Sequence, residues 1–109
     1  MEKIVKDTIQ DQPLSANTIK ETIIEHRTNI LIVDDEAIIR TGLRKIFDDY
    51  KTINVIGEAT SGEEAERIVS DINPHVVLMD ITMPGQGGVE TTKRILLKNP
   101  SIKVLALSV

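Results

Sequence analysis

Four short aliphatic runs, each followed by a polar stretch, constrain this chain more than any other feature. They are Ile30-Leu31-Ile32-Val33, Ile53-Asn54-Val55-Ile56-Gly57, Val76-Val77-Leu78-Met79 and Val104-Leu105-Ala106-Leu107. Their length and β-branched content predict strands, and the third is apolar enough to be covered on both faces. Helical patterns separate them. After the first run Ile39, Leu43, Ile46, Phe47 and Tyr50 recur at helical spacing, with Arg40, Arg44 and Lys45 on the other face. Ser61-Gly62-Glu63-Glu64 predicts a capping box opening a second helix, which should end near Asn73-Pro74. Asp80 to Gly88 reads as a loop holding Pro84, Gly85, Gly87 and Gly88, and a third helix runs from about Val89 to Lys98, before Pro100.

Strands and helices alternating in this way imply parallel βαβ units. Ligands of such open sheets bind beyond the carboxyl ends of the strands. Asp34, Asp35, Asp80 and Ser108 each follow a predicted strand and should therefore converge on one rim.

With 109 residues the chain suffices for one small domain, and an aromatic content of 2% requires an aliphatic core. A net charge of −4 argues against non-specific binding to nucleic acid or acidic membranes. The lack of cysteine excludes disulfides and thiolate metal sites and is compatible with a reducing cytoplasm. No segment has the pattern of a signal peptide or a membrane span, so a cytoplasmic location is expected. Residues 1–28 differ in texture: polar, with scattered aliphatics and Pro13. They read as an extension to a domain of residues 29–109. Within the extension Ser15 can cap a helix bearing Ile19, Ile23 and Ile24, and Ile4, Val5 and Ile9 can form another short turn.

Three carboxylates on one rim repel one another, and a hard divalent cation resolves the repulsion. Magnesium takes oxygen ligands, typically one or two carboxylates plus phosphate oxygens. A carboxylate can itself attack phosphorus, giving an acyl phosphate. Asp-Asp-Glu after a strand can equally serve the dipole of the next helix. Asp80 at the end of another strand tips the balance towards metal binding.

Leu31-Ile32-Val33-Asp34-Asp35-Glu36 and Val76-Val77-Leu78-Met79-Asp80-Ile81-Thr82-Met83-Pro84-Gly85, with Gly88, resemble the receiver domains of bacterial two-component response regulators. The spacings from Asp35 to Asp80 and from Asp80 to Ser108 fit as well. Gly57-Glu58-Ala59 with Ser61-Gly62 resembles receivers that precede a LuxR-type DNA-binding domain. The resemblance covers residues 29–109. It implies a flavodoxin-like, doubly wound parallel sheet, and it implies that Asp80 accepts a phosphoryl group from a histidine kinase. Asp34, Asp35, Asp80 and the backbone carbonyl of Thr82 would hold Mg2+, and Ser108 would be the switch hydroxyl. Pro84 and Gly88 would shape the loop after Asp80.

The family pattern continues through a further helix, a fifth strand with a phosphate-contacting lysine, and a last helix. None of this lies within the 109 residues, so an incomplete sheet of about four βα units is expected. The fourth strand would then be an open edge and one face of the sheet would lack a helix, which invites a homodimer or element exchange, or an extension folded back over the open face. No direct nucleic-acid contact is expected of these residues.

Two other functions compete. A phosphatase of the haloacid-dehalogenase type also uses an aspartyl phosphate but needs an acid two residues after the nucleophile, where this chain has Thr82. A non-phosphorylated interaction module would keep the carboxylates for structure alone. His75, at a strand start away from the rim, and His26 read as structural. Gly85, Gly87 and Gly88 match neither GxGxxG nor GxxxxGK[ST]. Arg40, Arg44, Lys45, Lys93 and Arg94 read as solvated helix faces.

Overall fold

The computed structural model describes residues 15–108. Its strands are β1 (Thr28–Val33), β2 (Ile53–Ala59), β3 (Val76–Asp80) and β4 (Lys103–Leu107); its helices are α1 (Ala16–Glu25), α2 (Ala37–Asp48), α3 (Gly62–Ile72) and α4 (Gly88–Lys98). The strands form one parallel sheet in the order β2-β1-β3-β4. This is the flavodoxin-like order, and it makes the gap between β1 and β3 the point where the winding reverses.

Strand alternation divides the core in two. Leu31, Val33, Val77 and Met79 point to one face, where they pack with Ala65 and Val69 of α3 and Ile95 of α4. Ile30, Ile32 and Leu78 point to the other, against Leu43 and Phe47 of α2. Each fully buried side chain of this size contributes roughly 1.5–3 kcal/mol. The α3–α4 face holds ten buried residues against three, so it carries more of the stability.

Local signals act as read, with small differences. Ser61 Oγ accepts from the Glu64 amide at 3.1 Å, but the Glu64 carboxylate reaches back to the amide of Thr60, at 2.9 Å. Asn73 ends α3 in the left-handed conformation that asparagine tolerates (φ 46°). β2 runs on to Ala59, past the expected Gly57, with a bulge where Ile30 pairs with Val55 but Leu31 with Gly57. Tyr50 lies beyond α2 and is exposed, its amide closing a turn onto the Phe47 carbonyl, because Asp49 already caps the helix.

Of the charges read as solvated helix faces, Arg40 is corrected, its side chain being only 15% exposed, whereas Arg44 and Arg94 keep solvent contact while pairing with carboxylates. Arg40 Nε and Arg44 Nε each meet one oxygen of Glu58 on β2, at 3.1 and 3.0 Å. Arg94 and Lys98 of α4 both meet Glu66 of α3, at 3.1 Å, and Gln86 donates to the same carboxylate. The Lys98 hydrogen bond is the main reason the Glu66 carboxyl is held below its ordinary range; burial opposes, while Gln86 and Arg94 reinforce it.

Ser15 Oγ accepts from the Thr18 amide at 3.1 Å at the start of α1. Residues 1–14, with Ile4, Val5 and Ile9, lie outside the described residues. Among the described residues no helix is long and apolar enough to cross a membrane.

Candidate functional site

Asp34 is the first residue after β1 and Asp80 the last of β3, so the two central strands deliver both carboxyls to the same end of the sheet. Each is nearly buried, 5% and 6% exposed, whereas Asp35 is exposed. One carboxylate oxygen from each of Asp34, Asp35 and Asp80 lies within 4.8 Å of the others. At that separation an ionised Asp34–Asp80 pair repels by on the order of 3 kcal/mol at an effective dielectric of about 20.

Part of that repulsion is offset by local donors. The Glu36 amide donates to Asp34 Oδ1 at 2.8 Å. Asp80 Oδ1 receives two bonds, from the Thr82 amide at 2.9 Å and the Thr82 hydroxyl at 2.7 Å. Among the described residues neither Asp80 Oδ2 nor the Asp35 carboxylate has a hydrogen bond. The asymmetry at Asp80 is chemically useful: one oxygen is held and the other keeps its lone pairs.

A cleft of about 200 Å³ opens here, lined by Asp34, Glu36, Asp80, Thr82, Leu107 and Ser108 among others. A larger one, about 560 Å³, lies at the opposite end of the strands between Thr28, His75 and Lys103. It has no carboxylate, and His75 there is engaged in structure, its Nδ1 accepting from the Asn29 amide at 2.8 Å. Chemistry therefore favours the smaller cleft over the larger.

The residues fit a hard cation. Octahedral ligand oxygens of one magnesium ion stand about 3 Å apart as neighbours and about 4.2 Å apart across the ion, and three carboxylate oxygens within 4.8 Å of one another are near enough to converge on one such ion. Ser108, exposed after β4, borders the same cleft, as does Thr82. His26 is not part of it; its Nε2 is buried without a hydrogen-bond partner in the described structure.

Reading the sequence missed three contributors. The Thr82 hydroxyl holds Asp80, although only its backbone carbonyl was expected to matter. Arg40 Nη1 donates to the Asp34 main-chain carbonyl at 2.8 Å, and Glu58 orients that guanidinium. One signal was available: Arg40 sits in the first turn of α2, where a cation opposes the helix dipole and so needs a local partner.

A parallel sheet wound on both faces, with an acidic trio at its switch point, defines an α/β domain whose polar site lies at one rim, beyond the carboxyl ends of the strands. Residues 30–109 match the family model of the response regulator receiver domain, and the chain belongs to that family. The response regulator GacA of Pseudomonas viridiflava is 44% identical over 80 residues, covering 73% of this chain and 37% of that protein. The crystal structure of a LuxR-family two-component response regulator from Aurantimonas sp. SI85-9A1 superposes with a TM-score of 0.70 at 34% identity, over 73% of this chain and 57% of that one. A CheX–CheY–BeF3–Mg complex from Borrelia burgdorferi gives a TM-score of 0.67 at 32% identity, over 72% and 60%. The chain thus spans less than two fifths of the length of the curated relative.

Proposed function

We propose that this chain is the phosphoryl-accepting receiver of a cytoplasmic two-component system, with residues 29–109 as the receiver and 1–28 as an extension to it. Asp80 Oδ2 attacks the phosphorus of a phosphohistidine on a histidine kinase. The O–P bond forms as the P–N bond breaks, and the imidazole nitrogen keeps the electron pair and takes a proton. Asp34, Asp35, Asp80 and the Thr82 carbonyl would hold Mg2+, which when bound would neutralise charge on the phosphoryl oxygens. Thr82 holds Asp80 through Oδ1 and leaves Oδ2 to react, and Ser108 supplies a hydroxyl to the phosphoryl group. The output under control is DNA binding, as the likeness to a LuxR-family regulator suggests.

One observation carries this reading: the buried Asp80, with one oxygen tied and one free, within 4.8 Å of two further carboxylates. The test is the intact mass of the chain after incubation with magnesium and a small acyl phosphate, with Asp80→Asn as control. A hydroxylamine-sensitive phosphoryl adduct on the parent chain alone is expected. An adduct retained in Asp80→Asn, or none on either chain, overturns it.

A further inference from the structure

The backbone between Asp34 and Glu36 is pinned on both sides of Asp35. The Asp34 amide donates to the Ala59 carbonyl at 3.0 Å, fixing the entry from β1. The next peptide plane, which joins Asp34 to Asp35, is held through its carbonyl by Arg40 Nη1. The plane after that is held through the Glu36 amide by the Asp34 carboxylate. Asp35 has no hydrogen bond of its own among the described residues, so these two planes set the direction of its Cα–Cβ bond and with it the region its carboxylate can reach.

Arg40 is suited to this task. Its side chain is only 15% exposed, and its Nε is held by Glu58 while Nη1 reaches the loop. The planar fork of a guanidinium makes both contacts at once, which an ammonium cannot do with the same geometry. Glu58 also occupies the positive charge, so that it does not settle among the carboxylates as an internal counter-ion. Arg44 braces the other Glu58 oxygen.

We infer that Arg40 is a positioning residue for the acidic loop: by holding the Asp34 carbonyl it aims Asp35 and raises the affinity of the site for its cation. The inference rests on the metal site proposed above. It separates cleanly from simple electrostatics. Removing a positive charge near a cation site should tighten cation binding, whereas losing the clamp should weaken it.

The experiment is a magnesium titration of the 109-residue chain, followed by backbone amide shifts and by calorimetry well below the unfolding temperature. Arg40→Gln is expected to weaken binding about ten-fold, the size typical of a lost outer partner of a metal ligand. Arg40→Lys keeps the charge and the fold yet should also weaken it, while Arg44→Gln should not. Equal or tighter binding in both Arg40 variants overturns the inference while leaving the metal site standing. If Arg40→Gln does not fold, Arg40→Lys alone decides between these results. A parent chain whose titration matches that of Asp35→Ala overturns the metal site itself, and this inference with it.

Discussion

Gly88 approaches Asp80 so closely that a Cβ on it would meet the Asp80 carbonyl and stand 2.6 Å from the Ile81 Cα. Those neighbours are backbone and cannot rotate away. Gly88→Ala should therefore push the loop off the end of β3 and cost about 1–3 kcal/mol, as overpacking does. A lower urea midpoint and slower formation of the Asp80 phosphoryl adduct are expected together. An unchanged midpoint would show that the loop yields without strain.

Asp35→Ala removes one of three clustered negative charges and one of the proposed cation ligands. Magnesium affinity should fall, and without the ion the melting temperature should rise by a few degrees as repulsion is relieved. Calorimetry in the presence of a chelator checks the second half. A fall in that melting temperature contradicts the repulsion argument.

Ser108→Ala should leave phosphorylation of Asp80 intact, since Ser108 makes no bond to Asp80 in this structure. The response to a bound phosphoryl mimic such as beryllium trifluoride should shrink around β4. Amide shifts with and without the mimic report it, and an undiminished response removes Ser108 from the switch.

Glu66 links α3 to α4, and its folded-state pKa lies below the ordinary glutamate value of 4.5. A depressed carboxyl stabilises fully above its unfolded-state pKa, and the contribution is lost as pH falls through the folded-state value. Glu66→Gln should therefore lower stability at pH 7, and the difference from the parent should shrink by pH 3. Urea unfolding at the two pH values measures this; a gap that stays constant would assign the effect to packing instead of charge.

The elements that the sequence made legible are those whose signals are local. The β-branched runs ending in Asp34 and Asp80 set strand direction and placed both acids on one rim. The Ser61–Glu64 pair marked its helix start, because a cap is decided within four residues. Contacts between distant segments were not legible. Arg40 meets Glu58 across 18 residues and Arg94 meets Glu66 across 28, and a helical pattern gives the face of a charge but not what lies opposite. The Thr82 hydroxyl was overlooked for a different reason: the resemblance assigned a role to its carbonyl only, and the Asp80 oxygen it holds is two residues away.

Among the described residues β1 and β3 are flanked by strands on both sides, whereas β4 pairs with β3 alone, and Leu105 on it is 56% exposed. The cleft thus has one hard wall and one soft wall. Asp34 and Asp80 belong to the hard one, Ser108 to the soft one, whose nearest tether is the Ile81 amide on the Leu107 carbonyl at 3.3 Å. Within the described residues the acceptor side of the cleft is thus held by strands on both flanks, and the Ser108 side by one.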